Sequence, residues 1–296
     1  GGWFCFHCDS SGHLDEFVDD PNDVRPRPGS WSDQTRRDPS QTRSKPAFDV
    51  GAAWRALQHH HRVRGVGLVQ QWGREVRRWP EALVQELGRL DDMAWALDNL
   101  SDDYICGDLV QLSSSRIRLD DGTWRQGAKR RLFLALRNAQ GEVVSVKRRW
   151  VEPDSPPEHD PAKSKALPRS ITGQAEGELL TFGSIPAAIQ AMGRGEPLYI
   201  CEGGPDWLAL RAFLKAENKP AAVLGASSAS ELPRLAAEVV AQLKERGLER
   251  DACDVRLFPH QGDTAWIGHR KAIEAARLLD PYATVRVGRP RYNDDR

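Results

Sequence analysis

The sequence predicts an α/β protein, with a largely parallel β-sheet and flanking helices preceded by a helical and mixed α+β basic subdomain. From residue 198 onward, short apolar runs alternate with longer segments of helical spacing, a pattern that favours parallel strands joined by helices. The hydrophobic content of 40% is enough for a sizeable core in a chain of 296 residues. The sequence contains no run of about 18 apolar residues, so it predicts no membrane span. It also shows no evident targeting signal, and we therefore expect a cytoplasmic protein.

The first 49 residues are predicted to hold part of a small metal-binding motif and then a linker. Residues 1–18 contain Cys5 and Cys8, and this Cys-x-x-Cys spacing is typical of structural zinc sites. Residues 19–49 contain five prolines and few apolar side chains, which is the composition of a linker. The five cysteines of the chain are an odd number, which argues against a disulfide framework.

Residues 50–194 are predicted to form a helical and basic β subdomain. Apolar residues at helical spacing between 52 and 100 predict helices, and the turn sequence NAQG at 138–141 predicts a β-hairpin. The formal net charge of the chain is zero, yet ten Lys or Arg stand against three Asp or Glu from Arg116 to Arg149. This basic centre indicates a polyanionic partner.

Residues 195–296 are predicted to form the parallel sheet. The predicted order is strand 198–201, helix 205–217, strand 221–224, helix 229–246, strand 254–258, helix 267–279 and strand 283–287. Ser228 and Glu231 have the spacing of a capping box, which predicts the start of the second helix.

Two acidic residues flank the turn that joins the first of these strands to its helix. Glu202 ends the strand, and Asp206 follows Gly203-Gly204-Pro205. Because ligands bind outside the carboxyl ends of strands in open α/β sheets, both acids are candidates for catalysis. Asp263 follows the third strand in the same way, so it is expected to approach Glu202.

The three segments YICEGGPDWLAL, AAVLGASSAS and RLFPHQGDTAWIGHRKAIEAA resemble the Toprim domain, which is shared by DnaG-type primases, topoisomerases and certain nucleases. The resemblance covers about residues 195–295. The positions that match the family pattern are Glu202, Gly203, Asp206, Gly225, Asp263 and Gly268. Where the family usually has two aspartates, this chain has His260 and Asp263, a change that would weaken Mg²⁺ binding or favour Mn²⁺. The late sequence YNDD is similar to a closing motif of primase-type Toprim domains, which makes Asp294, or else Asp295, a further expected metal ligand.

Two other segments resemble parts of primases. GGWFCFHCDSSGHLDEFVDDP looks like the second half of a primase zinc ribbon, and the two further ligands that tetrahedral zinc needs are expected upstream of Gly1. RRLFLALRNAQGEVVSVKRRWV and KSKALPRS resemble the basic core of the primase RNA-polymerase domain. The residues expected to contact nucleic acid or nucleotide are Arg131, Lys147, Arg148, Arg149, Lys165 and Arg169.

The resemblance implies a DNA primase-like nucleotidyltransferase that makes short RNA primers on single-stranded DNA from ribonucleoside triphosphates. Glu202, Asp206 and Asp263 would be catalytic, with Mg²⁺ or Mn²⁺ bound by Glu202, Asp263 and Asp294. By family analogy, a replicative helicase is a possible partner, since the chain has no phosphate-binding loop of its own.

Other interpretations of the same residues stay open. Asp206 could be an acid favoured by the helix dipole, and Asp263 could be a helix N-cap. Two other functions also fit: a Toprim nuclease, and a catalytically degenerate Toprim scaffold that binds nucleic acid in a replication or mobile-element complex.

Overall fold

The computed structural model describes part of the chain. The described residues are 2–5, 10–13, 49–60, 66–95, 116–118, 124–126, 131–149, 164–167, 169–259 and 267–288. Among the helices in these ranges, none combines the length and the apolar character needed to cross a bilayer.

Before Arg169, the described residues form three α-helices and eight strands. The helices are α1 (Val50–His60), α2 (Val66–Gln71) and α3 (Glu81–Leu87), with a π-helical turn at Trp72–Val76 between the last two. The strands are β1 (Gly2–Cys5), β2 (Ser10–His13), β3 (Met93–Trp95), β4 (Arg116–Arg118), β5 (Trp124–Gln126), β6 (Leu132–Arg137), β7 (Val143–Arg149) and β8 (Ser164–Ala166).

The remaining elements alternate between helix and strand. They are α4 (Arg169–Thr172), β9 (Thr181–Phe182), α5 (Ile185–Met192), β10 (Leu198–Glu202), α6 (Gly204–Ala216), β11 (Ala222–Ala226), α7 (Leu232–Glu245), β12 (Asp254–Phe258), α8 (Ile267–Leu279) and β13 (Thr284–Val287). From β10 onward these bounds lie within a few residues of the predicted ones, because the apolar periodicity there is regular. No bounds were predicted for α4, β9 and α5.

Nine strands form one mixed sheet in the order β13-β12-β10-β11-β9-β6-β7-β8, with β3 paired to β6 outside that path. β13, β12, β10 and β11 are mutually parallel, which confirms the predicted fold class. The predicted hairpin is also present, as the antiparallel pair of β6 and β7. The parallel and antiparallel halves meet at the two-residue strand β9, which pairs with β11 on one side and with β6 on the other.

Two predictions about local structure are wrong. Residues Met93–Trp95 belong to a strand and not to the predicted helical region, because their apolar side chains fill the core beside β6. The predicted capping box is absent: Ser228 makes no side-chain cap, and its hydroxyl instead lies 2.9 Å from that of Ser230. A 3-10 turn at Ala229–Glu231 precedes α7.

Helices cover both faces of the sheet. α5, α7 and α8 pack against one face of the parallel strands, and α6 packs with α3 against the other face. α1 covers β6 and β7 from the side opposite α6. These layers leave the carboxyl ends of β10 and β11 at the edge where α6 begins.

Candidate active site

The turn after β10 requires glycine at its first position. Gly203 has φ 86° and ψ 153°, a backbone conformation that is essentially restricted to glycine. Its N–H donates to the carbonyl oxygen of Ala226 at 2.9 Å, and its own carbonyl accepts from the N–H of Trp207 at 3.1 Å. The half-buried Glu202 is therefore held at the very end of the parallel ladder, directly before α6.

The second position requires glycine for a different reason, which is close packing. A Cβ on the buried Gly204 would overlap the Cδ1 atom of Leu134 and lie 3.1 Å from the Cζ atom of Phe182. The first turn of α6 thus rests directly on β6 and β9. The sequence Glu-Gly-Gly combines one conformational requirement with one steric requirement.

Gly225 and Trp207 fix the same helix against β11. A Cβ on Gly225 would lie 3.0 Å from the Cβ of Trp207 and 3.0 Å from the Cδ2 of Phe182. The indole N–H of Trp207 donates to the carbonyl of Val223 at 3.2 Å, and its ring packs on Phe182 with centroids 5.8 Å apart. These contacts leave α6 little freedom to shift relative to Glu202.

The two predicted acids act on one buried thiol. Cys201 is 1% exposed, and its Sγ lies 3.7 Å from the carbonyl oxygen of Leu224. Burial raises the pKa of this thiol well above its usual value, and the negative charges of Asp206 and Glu202 raise it further. Both carboxylates are therefore close to the start of α6, as the sequence predicts, and their catalytic role stays a prediction.

The basic hairpin reaches this edge through Lys147. Its Nζ lies 3.5 Å from the carbonyl oxygen of Ser227, which directly follows Ala226, the residue paired with Glu202. Lys147 also pairs across β6 and β7 with Leu134, the residue against which Gly204 packs. Two independent contacts thus bring a basic strand and an acidic strand end together.

Strand alternation divides the predicted basic residues between the two faces of the sheet. Lys147 and Arg149 lie opposite Leu134 and Leu132, on the face covered by α6. Arg148 lies opposite Phe133 on the face covered by α1, where it is only 5% exposed. Lys147 and Arg149 therefore share the α6 face with Cys201, whereas the same alternation assigns Glu202 to the opposite face, at the end of β10.

The other predicted site residues are placed as follows. Arg131 directly precedes β6, Lys165 pairs with Arg148 through its backbone in β8, and Arg169 is exposed at the start of α4. Cys5 ends β1, while Cys8, Asp263 and Asp294 lie outside the described residues. Within the described ranges, no group of three potential metal ligands occurs. The assignments of these residues remain predictions.

One network near the site was missed in the sequence. Arg211 donates to the carbonyl oxygen of Asp91 at 2.8 Å and lies 4.7 Å from the centroid of Trp207, while Arg137 forms an ion pair with Asp92. Burial lowers the pKa of Arg211, and the two aspartates oppose that shift. The pair Asp91-Asp92 was the available signal, although its partners are more than 40 residues away in the chain.

Among the comparisons with known proteins, the search of solved structures found proteins similar to this chain. No family model and no curated protein matches the chain. The catalytic core of E. coli primase is 15% identical with a TM-score of 0.45, covering 83% of this chain and 72% of that one. The zinc-binding and RNA polymerase domains of Aquifex aeolicus primase are 18% identical with a TM-score of 0.46, covering 80% and 54%.

A DNA primase domain from Pseudomonas aeruginosa is 14% identical with a TM-score of 0.36, covering 75% of this chain and 66% of that chain. This chain therefore spans between about half and three quarters of the primase chains to which it is similar. All three of these solved structures are of primases.

Proposed function

We propose that this protein is a primase-like nucleotidyltransferase that synthesises short RNA primers on single-stranded DNA from ribonucleoside triphosphates. The observation that carries the proposal is the contact of Lys147 with Ser227 at the strand edge that presents Glu202. Extension of a primer needs an acidic group near the attacking hydroxyl and cations near the phosphates. Both kinds of group meet at this edge.

Glu202 and Asp206 are the acids proposed to act at the reacting hydroxyl. Glu202 is held by the glycine conformation that follows it, and Asp206 lies in the first turn of a helix fixed by Trp207. Both carboxylates raise the pKa of the Cys201 thiol, and carboxylate oxygens are the kind of ligand that a hard cation prefers. We propose that Mg²⁺ or Mn²⁺ is held by Glu202 with Asp263 and Asp294.

Such a cation, when bound, would lower the pKa of the primer 3′-hydroxyl and balance charge on the phosphates. Basic residues of the protein are proposed to bind the triphosphate and the template. Lys147 and Arg149, on the α6 face, are proposed to hold the triphosphate, while Arg131, Arg148, Lys165 and Arg169 are proposed to contact the template. Contacts of this kind give affinity that depends on salt and is independent of base sequence.

The zinc ribbon and the partner protein also remain proposals. Cys5 and Cys8 are proposed as half of a structural zinc site, and β1 and β2 form the short hairpin that carries Cys5. A replicative helicase is the proposed partner, and the proposed place of action is the cytoplasm.

The test is a primer-synthesis assay with single-stranded DNA, labelled ribonucleotides and Mg²⁺ or Mn²⁺. We compare the parent chain with Glu202→Gln and with Glu196→Gln, which makes the same chemical change just before the amino end of β10. Glu196 pairs with Arg194 at the surface, so its replacement should leave synthesis unchanged. We expect template-dependent labelled oligomers with the parent and Glu196→Gln, and their loss with Glu202→Gln.

Two other results would contradict the proposal. Shortened DNA that disappears with Glu202→Gln, without labelled oligomers, would identify a nuclease. Salt-sensitive binding of single-stranded DNA without either product would identify a scaffold that has lost catalysis.

A further inference from the structure

Lys147 occupies an unusual position for a lysine. It lies in the interior of β7, between β6 and β8, where its cross-strand partners are the apolar residues Leu134 and Ala166. Its side chain is half-buried, and its ammonium group reaches the carbonyl oxygen of Ser227. A surface lysine that only attracts phosphates would not need this degree of burial.

The charged groups around Lys147 differ from element to element. Arg149, on the same strand and the same face, is positive, while β6 and β8 present apolar partners and Ser227 presents a neutral carbonyl. Ser227 follows Ala226, which pairs with Glu202, and no acid contributes to the pKa shift of Lys147. Burial lowers the pKa of Lys147, and the positive charge of Arg149 lowers it further.

Lysine and arginine differ in what they can do beside a phosphate. A guanidinium stays protonated throughout the useful pH range, so Arg149 can balance charge but cannot give up a proton. An ammonium group in a desolvated site can both balance charge and release a proton. The two cations on this face are therefore suited to different tasks.

We propose that Lys147 is a general acid, which donates its Nζ proton to the pyrophosphate leaving group during nucleotide addition. This inference rests on the proposed function, because it assigns a step within the same reaction. The 3′-oxygen forms a bond to the α-phosphorus as the bond from that phosphorus to the bridging oxygen breaks. The electron pair stays on the pyrophosphate oxygen, which takes the Lys147 proton, and the 3′-hydroxyl proton passes to Glu202 or to water. Solvent then reprotonates Lys147.

The test combines conservative variants with substrates whose leaving groups differ in basicity. Lys147→Arg keeps the positive charge but not the transferable proton, and Lys147→Gln removes both. Lys219→Arg is the matched control, since Lys219 pairs with Glu217 at the exposed end of α6. The substrates are ribonucleoside triphosphate analogues with a β,γ-methylene or a β,γ-difluoromethylene bridge, of which the fluorinated one releases the less basic product.

We expect Lys147→Arg to lower kcat by about 100-fold, within the range typical of a lost general acid, with KM changed by less than about threefold. The fluorinated analogue should recover part of this loss, because its leaving group has less need of a proton. The parent should lose activity as the pH rises through the pKa of Lys147, and Lys147→Arg should lack this alkaline decline. Lys147→Gln should also raise KM, and Lys219→Arg should match the parent.

If Lys147→Arg retains the parent kcat and the parent ratio between the two analogues, Lys147 acts only as a charge and the inference is wrong. The proposed function would survive that result. If the parent chain makes no template-dependent product, the proposed function fails and this inference fails with it. Thermal melting of each variant separates loss of activity from loss of folding.

Discussion

The glycine pair at 203 and 204 gives a stability prediction in which one chemical change destabilises the protein at two sites, for different reasons, and stabilises it at a third. The perturbation is the addition of one methyl group, by Gly→Ala, at Gly203, Gly204 or Gly67. A Cβ at Gly203 would have no atom within 4 Å, so any cost there is conformational. With φ 86° and ψ 153°, we expect Gly203→Ala to lower the free energy of unfolding by about 1–3 kcal/mol.

At Gly204 the cost is steric. The methyl group would overlap Leu134, which is 1% exposed, and press on the Phe182 ring, which is fully buried. Overpacking of a closed core costs about 1–3 kcal/mol. Gly67 lies exposed in α2, also with no atom within 4 Å of an added Cβ, so Gly67→Ala should instead stabilise the protein by about 0.5–1 kcal/mol.

Urea unfolding followed by tryptophan fluorescence measures all three effects, and a second substitution separates the two causes. Leu134→Ala makes room for a methyl group at position 204 but does not change the backbone at 203. We therefore expect Gly204→Ala and Leu134→Ala to couple by about 1 kcal/mol, while Gly203→Ala and Leu134→Ala should be additive. Equal coupling in both cycles, or a Gly203→Ala variant as stable as the parent, would refute this explanation of the two glycines.

Three further predictions concern the surroundings of the site. Trp207→Phe should cost about 1–2 kcal/mol in urea unfolding, because the part-buried carbonyl of Val223 loses its indole donor; a cost no larger than the spread between repeat titrations would contradict the role of that bond. Asp92→Asn should cost about 2–3 kcal/mol in the same assay, since asparagine tolerates φ 64° but leaves the part-buried guanidinium of Arg137 without its counter-charge. Lys147→Met should stabilise the protein by about 1 kcal/mol at pH 7, because the parent buries a charged ammonium there. The pKa of Lys147 is lowered in the folded protein, so between that pKa and 10.5 the unfolded chain binds more protons than the folded one. The free energy of unfolding of the parent therefore rises with pH, and its difference from that of Lys147→Met should shrink by pH 10. A difference that grows with pH would contradict this prediction.

The sequence predicts the parallel half of the sheet closely, because each of its elements carries a local signal. Strand β10 is a short apolar run, and the apolar face of α7 recurs at helical spacing from Leu232 to Leu243. The hairpin of β6 and β7 follows from the turn sequence between them. Glycine at 203 and 204 marks the turn in the sequence. Only the structure shows that Gly203 is required for its backbone conformation and Gly204 for close packing.

The contacts between the two halves could not be predicted, because they join distant parts of the chain. Strand β9 has only two residues, Thr181 and Phe182, too few to show any periodicity. Lys147 and Ser227 are 80 residues apart, and no local pattern indicates that they touch. The placement of Arg148 on one face of the sheet and of Lys147 and Arg149 on the other does follow from the sequence once β7 is known to be a strand, because successive side chains of a strand point to opposite faces.

The two-residue strand β9 has a consequence for any attempt to divide this protein. Thr181 pairs with Ala226 on one side and with Arg137 on the other, so it closes the backbone edges of both β11 and β6. A fragment that begins at residue 195 would lack β9 and expose the apolar edge of β11. We expect such a fragment to aggregate, because an unpaired strand edge can pair with another chain. Glu202 at the end of β10 and the basic residues Lys147 and Arg149 of β7 therefore depend on the same continuous sheet. A truncated fragment would lose that sheet and could not be used to study them separately.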